Sequence, residues 1–158
     1  MSPPDLSAEL VTLLPRLRRF ARALTRNPHD ADDLVQLALE RALARAHQLR
    51  PDAGVTGWVF GILRHAWIDE LRARARSERV FAPEESGKHV GQSAQAEMLS
   101  VQDAMTRLPE EQRLAVGLVL VEGLSYKEAA HIMEVPIGTL TSRLARGRQA
   151  LQVMLGEN

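Results

Sequence analysis

EGLSYKEAAHIMEVPIGTLTSRLARGR, Glu122 to Arg148, reads as two short helices with a tight turn between them. Gly123 follows an apolar run and suits a helix stop, because glycine takes the left-handed conformation cheaply. Ser125 and Glu128 stand three apart, the spacing of a capping box. Ala129, Ala130, Ile132 and Met133 give the first helix an apolar side. Pro136 ends that pattern and suits the start of the next helix, where a missing N–H costs nothing. Ile137, Leu140, Leu144 and Leu151 then repeat at helical spacing, and the opposite side carries Thr141, Ser142, Arg143, Arg146, Arg148 and Gln149. A helix, a turn and a second helix with hydroxyl and guanidinium groups is the helix-turn-helix of DNA readers. Two amphipathic helices with a solvated arginine face fit the same pattern, so the rest of the chain has to decide.

The chain has 158 residues, enough for one domain or two small ones. Glycine and proline fall between periodic segments and β-branched alternation is nearly absent, so the expected fold is all-α. With no cysteine, there is no disulfide framework, thiol nucleophile or cysteine metal site. The five histidines are scattered without metal-ligand spacing. No catalytic carboxylate pair, nucleophile–base pair or phosphate loop is visible, so neither an enzyme nor a cofactor or metal is expected. The first residues lack the long apolar run of a signal peptide or membrane span, and a cytoplasmic protein is the expectation. The net charge is zero but unevenly spread: residues 1–79 hold 13 Lys+Arg against 10 Asp+Glu, residues 80–134 hold 4 against 9, and the last 24 hold 3 against 1. Two basic surfaces separated by an acidic middle suit a protein that a partner brings to DNA.

Upstream of the quoted stretch, Leu6, Leu10, Leu13, Leu14, Leu17, Phe20, Ala21 and Leu24 recur at helical spacing. They predict one amphipathic helix, or two if Pro15 divides it. Arg16, Arg18, Arg19, Arg22 and Arg26 lie around the outside, mostly as a solvated face. Asn27-Pro28 breaks the chain. Asp30, Asp32 and Asp33 then crowd the start of a second helix, where carboxylates meet the positive end of the dipole. Its buried stripe is Ala31, Leu34, Val35, Ala38, Ala42 and Ala46. Leu37 and Leu39 fall off the stripe, as incidental leucines or as a docking surface. A third helix is expected from about Thr56 to Arg76, apolar at first and basic later. A flexible linker is expected over 77–96, joining units at 1–76 and 97–158. In the second unit, Leu114 to Val121 is apolar almost all round and should be deeply buried.

Two stretches together carry a family resemblance. LPEEQRLAVGLVLVEGLSYKEAAHIMEVPIGTLTSRLARGRQAL, Leu108 to Leu151, closely resembles the promoter-reading C-terminal domain of bacterial sigma factors. DADDLVQLALERALARA, Asp30 to Ala46, followed by GWVFGILRHAWIDELRARAR, Gly57 to Arg76, resembles their N-terminal helical domain. Two such domains joined by a short linker look like the extracytoplasmic-function (ECF) group. The resemblance implies a transcription initiation factor that binds core RNA polymerase and promoter DNA, with an anti-sigma factor as a further partner. It implies polymerase docking by the helix carrying Asp32, Asp33, Leu34, Val35 and Gln36. Capture and unpairing of the downstream promoter element would fall to the loop Leu49 to Val55 and the helix from Trp58 to Arg72, with Trp58, Arg64, His65 and Arg72 as contacts. Upstream, minus-35 readout would fall to Thr141, Ser142, Ala145 and Arg146, with Arg143 and Arg148 on phosphates. Large aromatics on a helix are more often core than stacking platforms, and that reading is favoured for Trp58 and Trp67.

The sequence departs from the family at three places. His65 stands where an asparagine is frequent, Leu37 and Leu39 where a glutamate and an aromatic are frequent, and Ala145 where a bulky residue often sits. Two other readings stay open. One is a sigma mimic that only sequesters an anti-sigma factor, against which the Arg143, Arg146 and Arg148 face argues. The other is a conventional helix-turn-helix regulator, against which the second sigma-like domain argues.

Overall fold

The computed structural model describes residues 3–50, 54–80 and 100–156. Helix α1 is Pro3–Leu24, α2 Pro28–Ala44, α3 Val55–Val80, α4 Val101–Arg107, α5 Glu110–Val116, α6 Tyr126–Met133 and α7 Ile137–Met154. A 3-10 turn, Ala46–Gln48, follows α2, and a π turn, Gly117–Val121, extends α5. The described residues contain no strand. None of their helices is long and apolar enough to cross a membrane.

In the first unit, α1 stays one helix through Pro15. The proline lies on the exposed side, where water can satisfy the carbonyl it leaves unpaired. The Asn27 side chain accepts from the His29 N–H at 2.7 Å and caps α2. Leu17, Phe20 and Leu24 of α1 bury against Leu34, Val35 and Ala38 of α2 and Val59, Phe60 and Leu63 of α3. Helix α3 is longer than the expected Thr56 to Arg76. Residues 77–80, assigned to the linker, continue it, and 81–96 lie outside the described residues.

The second unit forms around α5 and its π turn. Leu114, Ala115, Val116 and Leu118 are buried as expected, whereas Leu120 at the end of the run is exposed. Gly147 of α7 sits where a Cβ would come 2.8 Å from Val116 and 3.3 Å from the Gln112 Cβ, so α7 lies close on α5. The buried polar hub is Arg113. Its Nε donates to the Met105 carbonyl (2.9 Å), and Nη2 to those of Thr106 (2.9 Å) and Leu108 (2.7 Å). Nη1 donates to Glu110 (2.9 Å) and to the Leu24 carbonyl of α1 (3.0 Å). Burial lowers its pKa, against the pull of Glu110.

The two units share one buried cluster. Phe20 packs edge-on against Phe60 (centroids 5.3 Å apart) on one side. On the other it meets Gly117, where a Cβ would fall 2.8 Å from the ring. Polar ties surround this contact. Gln102 donates to the carbonyls of Arg22 and Thr25 at the end of α1. The Trp67 indole donates to Glu110 at 2.8 Å. The fully buried Glu122 carboxylate takes Arg16 (3.3 Å) and Arg19 (2.9 and 3.0 Å). Two arginines read as part of a solvated face therefore belong to the contact between units.

Candidate nucleic-acid interface

The helix-turn-helix forms from the signals in its sequence. Ser125 accepts from the Glu128 N–H at 3.0 Å, and Glu128 accepts from the Ser125 N–H at 2.9 Å, closing the capping box. Ala129, Ala130, Ile132 and Met133 are buried, and α7 begins just after Pro136. Helix α7 buries Leu140, Leu144 and Gly147. Thr141, Ser142, Ala145, Arg146 and Arg148 are all exposed on its other sides, and Arg143 is half-buried. The upstream set therefore shares one helix, with most of it open to a groove-sized ligand. The Thr141 hydroxyl donates to the Ile137 carbonyl at 2.8 Å, so in this conformation it presents only acceptor capacity to the outside.

The downstream set lies on α3. His65 and Arg72 are exposed, Trp58 is half-buried, and the Arg64 side chain is only 15% exposed. Trp58 and His65 flank a groove of about 440 Å³, with His131 and Glu134 of α6 and its following turn across from them. Trp67 is 3% exposed and joins the core as expected. Trp58 instead keeps a face on the groove. Arg74 is committed to structure, bonding Glu70 (2.9 Å) and Asp30 (3.0 Å) over the Trp67 ring. Arg72 and Arg76 remain on the outside of α3.

On α2, Asp32, Asp33 and Gln36 are exposed. Leu34 is 5% exposed and Val35 is buried, so in this structure both belong to the core. Leu37 and Leu39 are half-buried and pack against the core. The exposed leucine of α2 is Leu43, at 53%, which helical spacing alone did not single out.

The downstream set touches the helix-turn-helix. Arg64 Nη1 donates to the Ile132 carbonyl at 3.3 Å and lies 3.8 Å from the Glu134 carboxylate. His65 Nε2 lies 3.2 Å from the same carboxylate. Burial pulls the Arg64 pKa down, Glu134 opposes that shift, and Arg143 of α7 adds to it. Glu134 was not singled out in the sequence, although it occupies the position after α6 where glycine is usual. Among the described residues no cluster of three or more His, Asp or Glu is placed to hold a metal.

These faces and this fold define a two-part helical protein built around a helix-turn-helix. Residues 10–77 match the family model of sigma-70 region 2, and residues 98–151 match that of sigma-70 region 4. The ECF RNA polymerase sigma factor EcfG of Rhodopseudomonas palustris is 35% identical over 158 residues, covering 96% of this chain and 85% of that relative. The ECF sigma factor SigM of Mycobacterium tuberculosis is 39% identical over 142 residues, covering 89% and 72%. The sigma factor RpoE of Bartonella quintana, solved with the anti-sigma factor NepR, superposes with a TM-score of 0.77 at 32% identity, covering 96% and 97% of the two chains. The chain belongs to the ECF RNA polymerase sigma factor family.

Proposed function

We propose that the protein binds core RNA polymerase, directs it to a set of promoters and helps open the duplex there. The observation that carries this reading is the exposed face of α7. Hydroxyls and guanidiniums stand opposite the buried Leu140, Leu144 and Gly147, on a helix-turn-helix that follows a region 2 unit in the same chain. Arginine reads guanine by a bidentate pair, and hydroxyls read several base edges. Phosphate contacts fix register without reading sequence. In this reading Arg146 contacts a base of the upstream element, and Arg143 and Arg148 hold phosphates. Trp58, Arg64, His65 and Arg72 take the unpaired downstream strand, where aromatic faces stack bases. Asp32, Asp33 and Gln36 dock on the polymerase.

Binding does the work without covalent chemistry: the duplex opens because the open form binds protein and polymerase more favourably than the closed one. The protein works in the cytoplasm, beside the polymerase. Its further partner is an anti-sigma factor, in keeping with the relative solved in complex with one.

Arg146→Ala should weaken promoter use by about 1–3 kcal/mol and relax preference at one upstream base pair. Transcription from a promoter set randomised in the upstream element measures both effects. An equal loss on every sequence would move Arg146 to a phosphate.

A further inference from the structure

We propose that Glu134 is an internal substitute for a DNA phosphate: in the free protein its carboxylate occupies Arg64 and His65, so the C-terminal unit engages two of the groups that take the unpaired strand. The proposal rests on the reading of Arg64 and His65 as downstream-strand contacts.

The backbone gives no reason for a glutamate here. Glu134 has φ 59°, in the left-handed region, where glycine is preferred because it has no Cβ to clash. What the glutamate adds is reach across the unit boundary. Its two oxygens divide between the neighbouring α3 side chains, Oε1 toward Arg64 at 3.8 Å and Oε2 toward His65 at 3.2 Å. A DNA phosphate would present two oxygens in the same way. Arg143 approaches Arg64 closely enough to disfavour its charge, so bringing the two basic faces together calls for an anion between them.

The fit is loose, as a displaceable occupant requires. Arg64 Nε is buried without an acceptor, its contact with Glu134 is long, and the Glu134 side chain is 64% exposed. Exposed ion pairs of this kind are weak. Closure itself is secured elsewhere, by Phe20 on Gly117 and by the Arg16 and Arg19 clasp on Glu122. Removing Glu134 therefore frees His65 and leaves Arg64 with the Ile132 carbonyl alone, without dismantling the interface.

The promoter geometry supplies the release. At 3.4 Å per base pair, an element around minus 35 and one near the start site lie tens of ångströms apart. The α3 and α6–α7 surfaces touch in the closed protein. Engaging both elements parts the units and withdraws Glu134 from Arg64.

The test uses the full-length free protein and a fluorescein-labelled single-stranded oligothymidylate, read by anisotropy. Glu134→Gly relieves the backbone and removes the carboxylate, and Glu134→Asn removes the charge with a residue that tolerates the same conformation. Both should bind about two- to fivefold more tightly than the parent, the scale of an exposed ion pair. Glu128→Gln, which removes a carboxylate from the same groove and keeps the capping box, should change affinity far less. Adding Arg64→Ala and His65→Ala to Glu134→Gly should erase the gain. Unchanged affinity in both Glu134 variants, or an equal gain from Glu128→Gln, overturns the proposal. Promoter opening by holoenzyme carrying Arg64→Ala and His65→Ala separates the two levels. If opening drops while the Glu134 variants bind no better, the mimicry is wrong and the strand-contact reading stands. If opening is unaffected, the strand-contact reading fails, and the mimicry with it.

Discussion

Replacing Arg113 by methionine should cost about 3–5 kcal/mol of stability, the range for breaking a buried charged network. A guanidinium has five N–H donors, and all five are used: on four carbonyls, of Leu24, Met105, Thr106 and Leu108, and on Glu110. Methionine fills much of the volume but leaves buried carbonyls without donors, and each such loss costs of order 1–3 kcal/mol. Lysine should not rescue it, because one ammonium cannot reach acceptors on both sides of a planar fork. For a chain of this length the loss corresponds to a Tm lowered by about 6–20 °C, measurable by thermal unfolding. A change under about 1 kcal/mol would show that water readily replaces this hub.

Phe20→Ala should cost a similar amount, about 3–5 kcal/mol, from lost transfer energy plus the cavity left behind. Phe20 is fully buried and touches both units, Phe60 in one and Gly117 in the other. A double-mutant cycle tests that geometry. Gly117→Ala alone places a methyl group against the ring and should cost about 1–3 kcal/mol through overpacking. In the Phe20→Ala background that methyl group enters the vacated space and should cost little or even stabilise. The coupling between the two positions should therefore be about 1–3 kcal/mol. Additive losses would contradict the packing described.

What the sequence made legible was local. The capping box at Ser125 and Glu128, the Pro136 break and the alternating faces of α7 are set by residues three or four apart, and all three appear in the structure. The stripes of α1 and α2 were readable for the same reason. The contact between units was not readable. Arg16 and Arg19 look like any solvated arginines until Glu122, more than a hundred residues away, is placed between them. Arg113 sits at the head of an apolar run, and its acceptors are carbonyls, which leave no mark on side-chain patterns. The run Leu114–Val121 ends in a π turn from Gly117, and Leu120 in that turn is exposed. On α2 the spacing placed Leu34 and Val35 in the core, while the family resemblance counted Leu34 among the docking residues. The structure buries both side chains. Glu134 carried a faint signal, a non-glycine residue at a helix end that prefers glycine, but its partners on α3 become visible only once the units are assembled.

Added to core RNA polymerase, this chain should by itself be sufficient to choose promoters. The direct measurement is in vitro transcription with purified core polymerase, with and without the protein, on a library of genomic fragments, with the transcript 5′ ends sequenced. The expected result is a discrete set of start sites that appear only with the protein and share an upstream and a downstream element. A folded protein that yields no transcript from any template, yet binds an anti-sigma factor tightly, would contradict it and mark the chain as a mimic.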